Sequence, residues 1–140
     1  MTGTSQKILV VDDEPDVLAL MKLLFEGNEF DIVTAKDGLD GYSKAKSCHP
    51  DLALIDLVMP GMTGIELLKK LKSEEGTREI PVILFSILNR EVDRRMALEL
   101  GAIGYLSKPC SPQEIMSFRA SVKKFLDVCT VEASNVAGRI

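Results

Sequence analysis

The sequence predicts a doubly wound α/β domain, in which a five-stranded parallel sheet carries helices on both faces. Five short apolar runs recur along the chain, and runs of this length are typical of buried strands. Stretches of helical length separate the runs, and this alternation favours a parallel sheet. The length of 140 residues fits one domain. The predicted strands are residues 7–11, 31–35, 52–55, 81–85 and 103–106.

Helices 1 and 2 follow the first two predicted strands. Pro15 is favourable in the first turn of a helix. Residues 37–48 predict helix 2 less strongly, because Gly38 and Gly41 lower the helix propensity. The apolar residues at helical spacing in helix 1 are Leu18, Met21, Leu24 and Phe25.

Capping residues delimit the three later helices. Thr63 and Glu66 form a capping box that begins helix 3, and Ser111 and Glu114 form a second one that begins helix 5. Gly101 is suited to ending helix 4. The apolar stripes expected on these helices are Ile65, Leu68 and Leu71; Val92, Met96 and Leu100; and Ile115, Phe118, Val122, Phe125, Leu126 and Cys129.

The two ends of the chain are expected to lie outside the domain. We expect residues 1–6 to form a flexible N-terminus and residues 7–128 to form the domain. Residues 129–140 show little periodicity and are interpreted as a C-terminal tail or a truncated linker. Because the N-terminus lacks the apolar stretch of a signal peptide and no segment could cross a bilayer, we expect a cytoplasmic protein without membrane contact.

Charge and cysteine content argue against several function classes. The formal net charge of −4 argues against direct nucleic-acid binding, because phosphate contacts need clustered Lys and Arg. Cys48, Cys110 and Cys129 lack metal-ligand spacing and are interpreted as reduced thiols. The only histidine, His49, precedes strand 3 at the end of the sheet away from the acids, and is interpreted as a loop residue.

The polar residues after four of the five strands predict a functional site, whereas strand 2 runs into Lys36 and Asp37 and offers less, as suits an edge strand. In a doubly wound sheet, ligands bind beyond the carboxyl ends of the strands. Three carboxylates gathered at this edge would repel one another unless a cation or a proton relieved the repulsion. The residues after strands 1, 3, 4 and 5 are Asp12 and Asp13, Asp56, Ser86, and Lys108.

This set of side chains suits phosphoryl transfer to a carboxylate. Carboxylate oxygens suit Mg²⁺, which takes few protein ligands together with waters and phosphate oxygens. A carboxylate can attack phosphorus and form an aspartyl phosphate. Hydroxyl and ammonium groups such as those of Ser86 and Lys108 stabilise a phosphoryl group during its transfer.

Four segments, taken in order, resemble the receiver domain of two-component response regulators. They cover residues 7 to about 127. The resemblance implies the flavodoxin-like receiver fold, with strand order 2-1-3-4-5. The segments are KILVVDDEPDV (7–17), HPDLALIDLVMPGMTGIELLKKLK (49–72), PVILFS (81–86) and GAIGYLSKP (101–109).

The resemblance implies a role for each acid of the site. Asp56 would be the phosphoacceptor. Asp12 and Asp13 would hold Mg²⁺ together with Asp56, and Asp13 would do so more directly. The backbone carbonyl of Val58 would be a further metal ligand. No other cofactor is implied.

The resemblance also implies the parts of a switch. Ser86 would be the hydroxyl that turns toward the phosphoryl group, and Tyr105 the aromatic residue that turns inward with it. Lys108 would pair with the phosphoryl oxygens, and the bond from Lys108 to Pro109 would be cis. Two residues depart from the family pattern. Ile87 would crowd donor or water access, and Cys110 would reduce apolar contact near helix 5.

The function that the resemblance implies is a phosphorylation-controlled switch. A histidine kinase or a histidine phosphotransfer protein would donate a phosphoryl group to Asp56. The face made by helix 4, strand 5 and helix 5 would then change its affinity for an output partner or for a second copy of the chain. Since the domain reacts on itself, we do not expect a turnover enzyme.

Simpler interpretations of individual residues remain open. The acids after strand 1 could cap helix 1. Tyr105 could be an ordinary half-buried strand residue. Arg90, Arg94 and Arg95 could form a solvated helix face or part of a partner surface.

One rival function remains beside the switch, and two further functions are disfavoured. The alternative is a receiver-like interaction module that works without phosphorylation, and Ile87 is the residue that favours it. An aspartyl phosphatase would need a second acid at the position of Val58. A nucleotide or flavin site would need a glycine-rich phosphate loop after strand 1, where the acids stand instead.

Overall fold

The computed structural model describes residues 5–27, 29–87, 90–108 and 111–138, with side chains described as far as residue 128. Its strands lie parallel in one sheet, in the order second, first, third, fourth, fifth along the chain. This arrangement confirms the predicted doubly wound sheet and its strand order. The strands are β1 (Gln6–Val11), β2 (Phe30–Ala35), β3 (Leu52–Asp56), β4 (Val82–Ser86) and β5 (Gly104–Ser107).

A helix follows each of the five strands. Two compact units make up the chain, Met1–Pro109 and Cys110–Ile140, and the last helix belongs to the second unit. None of the helices in the described part of the chain is long and apolar enough to span a membrane. The helices are α1 (Pro15–Phe25), α2 (Gly38–Cys48), α3 (Gly64–Ser73), α4 (Glu91–Glu99) and α5 (Pro112–Gly138).

The last helix extends beyond the boundary that the sequence suggested. The backbone of α5 stays helical to Gly138, whereas weak periodicity placed the end of the domain at residue 128. Backbone helicity needs only favourable local residues, whereas periodicity reports burial against a partner surface. The assignment of residues 129–140 to a tail or a linker stays a prediction.

The register of the central strands gathers their carboxyl ends at one edge of the sheet. Val11 of β1 pairs with Ile55 of β3, and Asp56 of β3 pairs with Phe85 of β4. Every residue of β3 and β4 is buried, as expected for a parallel sheet covered on both faces. The residues that end these strands therefore lie side by side.

Both predicted capping boxes are present. The Thr63 backbone N–H donates to Glu66 Oε1 at 3.0 Å, and the Glu66 N–H donates to Thr63 Oγ1 at 3.2 Å. Ser111 and Glu114 make the equivalent pair of bonds at 3.0 and 3.1 Å. Gly101 has a φ of 108°, so the residue expected to end α4 adopts a conformation that favours glycine.

Close packing explains the two glycines that weakened the prediction of α2. A Cβ atom at Gly41 would lie 2.9 Å from Cγ2 of Val11, and one at Gly38 would lie 2.6 Å from Cβ of Met62. Both distances are shorter than side chains tolerate. Gly41 therefore lets α2 approach β1 just before the acidic residues begin, and Gly38 lets it approach Met62 in the loop before α3.

Two of the three residues in the apolar stripe predicted on α4 are exposed, whereas the third, Leu100, is partly buried against the core. Val92 and Met96 are 59% and 42% exposed, whereas Ala97 is fully buried. Ala97 belongs to the buried core cluster, so α4 packs against the core through a small residue. The exposed apolar residues lie on the opposite side of α4.

Candidate functional site

The structure brings the three predicted aspartates together. Asp12 directly follows β1, and its backbone N–H donates to the carbonyl of Ala35 at 3.0 Å. Asp56 is the last residue of β3. Asp12 and Asp56 are buried, whereas Asp13 is exposed. One carboxylate oxygen from each of the three lies within 4.8 Å of the others.

The Lys108 ammonium group joins this cluster from beyond β5. Its Nζ lies 2.7 Å from Asp12 Oδ2 and 3.5 Å from Asp56 Oδ2. A third acid, Glu14, approaches the same Nζ at 3.3 Å. The Lys108 backbone N–H donates to the Ser86 carbonyl at 2.7 Å, which holds the residue at the end of the sheet. The predicted cation therefore lies among the predicted acids.

The environment of Asp56 disfavours its charge. Burial and the neighbouring Asp12 carboxylate raise the pKa of Asp56 to about 6, against the opposing effects of Lys108 and the Val58 N–H. That N–H donates to Asp56 Oδ1 at 3.3 Å. A carboxylate in this position is ionised at neutral pH but poorly stabilised, which suits a nucleophile.

Lys108 stays charged in spite of its burial. Burial by itself lowers the pKa of a lysine, but the hydrogen bond to Asp12 and the charges of Asp56 and Asp12 outweigh it, so the pKa of Lys108 is raised. The side chain is only 8% exposed. Its Nζ also lies 5.0 Å from the centre of the Phe85 ring. The protein thus keeps a fixed positive charge beside the acids.

The donor set of this cluster fits a hard divalent cation. Three carboxylates within a few ångströms of one another offer the oxygen ligands that Mg²⁺ prefers. Because Asp13 is exposed, water can complete the coordination from outside. A cation would also relieve the repulsion between Asp12 and Asp56. The backbone carbonyl of Val58 as a further ligand stays a prediction.

A glycine allows α3 to begin directly beside the site. A Cβ atom at Gly64 would clash with the carbonyl oxygen of Asp56. The Gly64 N–H donates to the carbonyl of Leu57 at 2.9 Å, which ties the first residue of α3 to the end of β3. The loop after Asp56 is therefore fixed at both ends.

Ser86 and Tyr105 lie together at the neighbouring strand ends. Ser86 is fully buried at the end of β4, and Tyr105 is half-buried on β5. Burial raises the pKa of the Tyr105 hydroxyl, and a hydrogen bond between that hydroxyl and the Ser86 side chain opposes the rise. The structure connects the two predicted switch residues directly, and their movement on phosphorylation stays a prediction.

Asp12 supports the start of α1 as well as the acidic cluster. The Glu14 N–H donates to Asp12 Oδ1 at 2.9 Å, while Glu14 itself occupies the N-cap position without a side-chain cap. Asp12 thus fulfils part of the capping interpretation. Its other oxygen is bonded to Lys108, so capping alone does not explain the residue.

Two residues at the site were not predicted. Arg94 of α4 lies over the Tyr105 ring, with Cζ 5.3 Å from the ring centre. Glu14 bonds Lys108, and its place after two aspartates was the available signal. Nothing in the sequence indicates the Arg94 contact, because it depends on the rotation of α4 about its axis.

Several predicted residues lie away from the site or outside the described residues. His49 ends α2 with a φ of 49°, at the amino end of β3. Cys48 is a free thiol. Pro109 and Cys110 lie outside the described residues, and so does the predicted cis bond.

Comparison with known proteins identifies the family. A family profile, described as the response regulator receiver domain, matches residues 8–119. The chain belongs to this receiver family. Over 122 residues it is 37% identical to the alkaline phosphatase synthesis transcriptional regulatory protein PhoP of Bacillus subtilis, covering 87% of this chain and 49% of PhoP. The chain spans about half the length of the curated relatives it matches.

Solved receiver structures share the fold. A CheY-like receiver domain protein from Methanospirillum hungatei JF-1 superposes with a TM-score of 0.80 at 26% identity, covering 91% of this chain and 98% of that one. CheY from the CheX–CheY–BeF₃–Mg²⁺ complex of Borrelia burgdorferi superposes with a TM-score of 0.78 at 28% identity. The superposition covers 86% of this chain and 91% of that one. The family that the four motifs resembled is therefore confirmed.

Proposed function

We propose that this receiver domain accepts a phosphoryl group on Asp56 from a phosphohistidine of a histidine kinase or a histidine phosphotransfer protein. The observation that carries the proposal is a buried carboxylate with a pKa of about 6, placed 3.5 Å from a buried ammonium group and beside two further acids. Phosphoryl transfer needs a nucleophile and fixed positive charge at one point.

The transfer step uses one oxygen of Asp56 as nucleophile. That oxygen attacks phosphorus, the bond from phosphorus to the histidine nitrogen breaks, and the nitrogen leaves with the electron pair. Lys108 donates a hydrogen bond to a phosphoryl oxygen, for which its Nζ gives up part of its contact with Asp12 and Asp56. The Val58 N–H beside Asp56 is a second available donor.

Asp12, Asp13 and Asp56 would hold Mg²⁺. When bound, the ion supplies positive charge that offsets both the carboxylates and the incoming phosphoryl oxygens. The similar chain from Borrelia burgdorferi was solved in a complex that contains BeF₃ and Mg²⁺, which supports a Mg²⁺ site here.

Phosphorylation would be read out through Ser86 and Tyr105. A hydroxyl both donates and accepts, so on phosphorylation Ser86 would turn its proton from the Tyr105 oxygen to a phosphoryl oxygen and would accept from the Tyr105 hydroxyl instead. The new bond thereby biases the position of Tyr105, and with it the surface of α4 and β5 that meets an output partner or a second copy. Water then releases phosphate from Asp56, so the domain resets itself and does not turn over an external substrate.

The partners proposed for this chain are proteins. Its net charge of −4 favours protein contacts over nucleic acid. PhoP is named a transcriptional regulatory protein, but this chain spans only about half of PhoP, so that activity is not assigned to these residues. The odd set of three cysteines favours reduced thiols and therefore a cytoplasmic location.

Intact-mass analysis tests the proposal. The whole chain is incubated with acetyl phosphate and Mg²⁺, and we expect the addition of one phosphoryl group. Chelation of Mg²⁺ or the substitution Asp56→Asn should abolish the addition. Asp31→Asn is the matched control, because Asp31 is an exposed aspartate on the edge strand β2 and should leave the modification intact.

Two results would reject the proposal. An unmodified wild-type chain, with donor and metal in excess, would favour the receiver-like module that works without phosphorylation. A phosphorylated Asp56→Asn variant would place the acceptor at another residue.

A further inference from the structure

Arg94 contacts β5 at two points. Its Cζ lies 5.3 Å from the centre of the Tyr105 ring, within the range of a cation–π interaction. Its Nη2 donates to Ser107 Oγ at 3.2 Å. A planar guanidinium group held at two points has a fixed orientation, which a flexible ammonium group would not reproduce.

Both contacts of Arg94 are close to the predicted switch serine. Ser107 pairs with Ser86 across β4 and β5, and the Tyr105 hydroxyl bonds the Ser86 side chain. Arg94 therefore lies on one side of Tyr105 while Ser86 lies at its hydroxyl end. The tyrosine is held between a helix and the phosphorylation site.

A groove lies beside Tyr105. The groove between α4 and β5 has a volume of about 460 Å³ and is lined by residues that include Arg94, Leu98, Ile103 and Tyr105. Because Arg94 covers the ring and lines the same groove, an outward movement of Tyr105 has to displace the guanidinium group. Arg95 and Glu91 also line this groove, whereas Arg78, exposed between α3 and β4 and paired with Glu79 at 3.9 Å, does not.

We infer that Arg94 is a positioning residue that holds Tyr105 against Ser86 and so favours the phosphorylated arrangement of the site. The inference rests on the proposed function, because it takes the Ser86–Tyr105 pair as the switch. Coupling is reciprocal, so a group that favours the inward position of Tyr105 also favours phosphorylation of Asp56.

The position of Tyr105 is measured without phosphorylation. The chain has two tyrosines and no tryptophan, so Tyr42→Phe leaves Tyr105 as the only tyrosine. In that background, nuclear Overhauser contacts between the Tyr105 ring and the Ser86 β-protons report the inward position. We expect Arg94→Ala to weaken these contacts roughly twofold to fivefold, and Arg78→Ala to leave them unchanged.

A double-mutant cycle tests whether Arg94 acts through Tyr105. The rate of Asp56 phosphorylation by acetyl phosphate should fall roughly threefold to fivefold in Arg94→Ala. Arg94→Lys keeps the charge but not the planar guanidinium group, so its phosphorylation rate should fall by most of the factor expected for Arg94→Ala. In a Tyr105→Ala background, Arg94→Ala should have no further effect. Ser107→Ala removes one anchor only and should give a smaller loss in the same direction.

Two results would overturn the inference, and each differs from failure of the proposed function. Unchanged Tyr105 contacts in Arg94→Ala would show that the guanidinium does not hold the ring, even if Asp56 is phosphorylated normally. An equal loss of rate in the Tyr105→Ala background would show that Arg94 acts by another route. Failure of wild-type phosphorylation rejects the proposed function, while the nuclear Overhauser measurement still decides the position of Tyr105.

Discussion

Two partly buried lysines lie at opposite ends of the sheet, and their partners differ. Lys72 of α3 donates to the backbone carbonyls of Arg78 and Ile80, at 3.0 and 2.6 Å, before β4 begins. Lys108 meets the carboxylates of Asp12 and Asp56 after β5 ends. Burial lowers the pKa of Lys72, whereas the acids raise the pKa of Lys108 in spite of burial.

The contrast separates a structural lysine from a chemical one. Carbonyl oxygens are neutral, so Lys72 ties the connection between α3 and β4 without building a charged site. The carboxylates around Lys108 carry more negative charge than its ammonium group offsets, so a further cation would stabilise the site. An incoming phosphoryl group can in turn take the ammonium group as its partner. Burial of a lysine is therefore uninformative about function until its partners are known.

The largest expected effect is on the rate of phosphorylation. We expect Lys108→Met to slow the modification of Asp56 by acetyl phosphate roughly 100-fold. The reason is that the phosphoryl group would no longer meet a fixed positive charge during its transfer. Lys72→Met should stay within about twofold of wild type in rate while losing about 1–2 kcal/mol of unfolding free energy, since two carbonyls lose their donor. Intact-mass time courses and urea unfolding measure the two quantities.

Two results would contradict the contrast between a structural Lys72 and a chemical Lys108. A Lys72→Met variant that is slow to react would show that the amino end of the sheet influences the site. Normal kinetics in Lys108→Met would remove Lys108 from the transfer step.

A second expected effect concerns the stability of the metal-free protein. Asp56→Asn should raise the unfolding free energy by about 2 kcal/mol, because it removes a charge that burial and Asp12 disfavour. The exposed Asp31→Asn variant should stay within about 0.5 kcal/mol of wild type. Urea unfolding in the presence of a chelator is the measurement. A destabilised Asp56→Asn variant would mean that the attraction between Asp56 and Lys108 outweighs both the burial of Asp56 and its repulsion by Asp12.

The pH dependence of stability gives a smaller effect with a definite sign. The pKa of Asp56 is about 6 in the folded protein against 3.8 as its ordinary value, so between these values the folded chain keeps a proton that the unfolded chain has lost. The contribution of Asp56 to the unfolding free energy therefore falls as the pH rises toward about 6. Lowering the pH from 7 to 5 should raise the unfolding free energy of the metal-free wild-type protein by about 1 kcal/mol.

The same pH series in Asp56→Asn is the control, and it should lack this gain. Saturating Mg²⁺ should also reduce the gain in wild type, because a metal favours the ionised carboxylate. A gain that persists in Asp56→Asn would assign the effect to another group.

The smallest expected effect concerns access to the carboxyl end of β4. Ile87 follows Ser86 and is 68% exposed. We expect Ile87→Ala to speed both phosphorylation and hydrolysis roughly twofold to threefold, since a smaller side chain admits donor and water more freely. Leu39→Ala is the control, because Leu39 on α2 is equally exposed at 68%. Equal rates in wild type and Ile87→Ala would remove the steric role of Ile87.

Local signals in the sequence were sufficient for the strand ends and the helix starts. Thr63 and Ser111 begin helices because their side chains bond the backbone within one turn, which needs no distant partner. The positions of Asp56 and Ser86 follow from the apolar runs that they end. Periodicity on α4 pointed to Val92 and Met96, but packing buried Ala97 instead.

The sequence by itself determined the alternation of strands and helices and placed acids, a hydroxyl and a lysine beyond the strands, because these features depend on residues close together in the chain. The tertiary structure decided which charges meet. Lys108 and Asp12 lie 96 positions apart and bond at 2.7 Å only because β1, β3, β4 and β5 end at one edge of the sheet. The contact of Arg94 with Tyr105 likewise depends on the rotation of α4 against β5, which is set by packing.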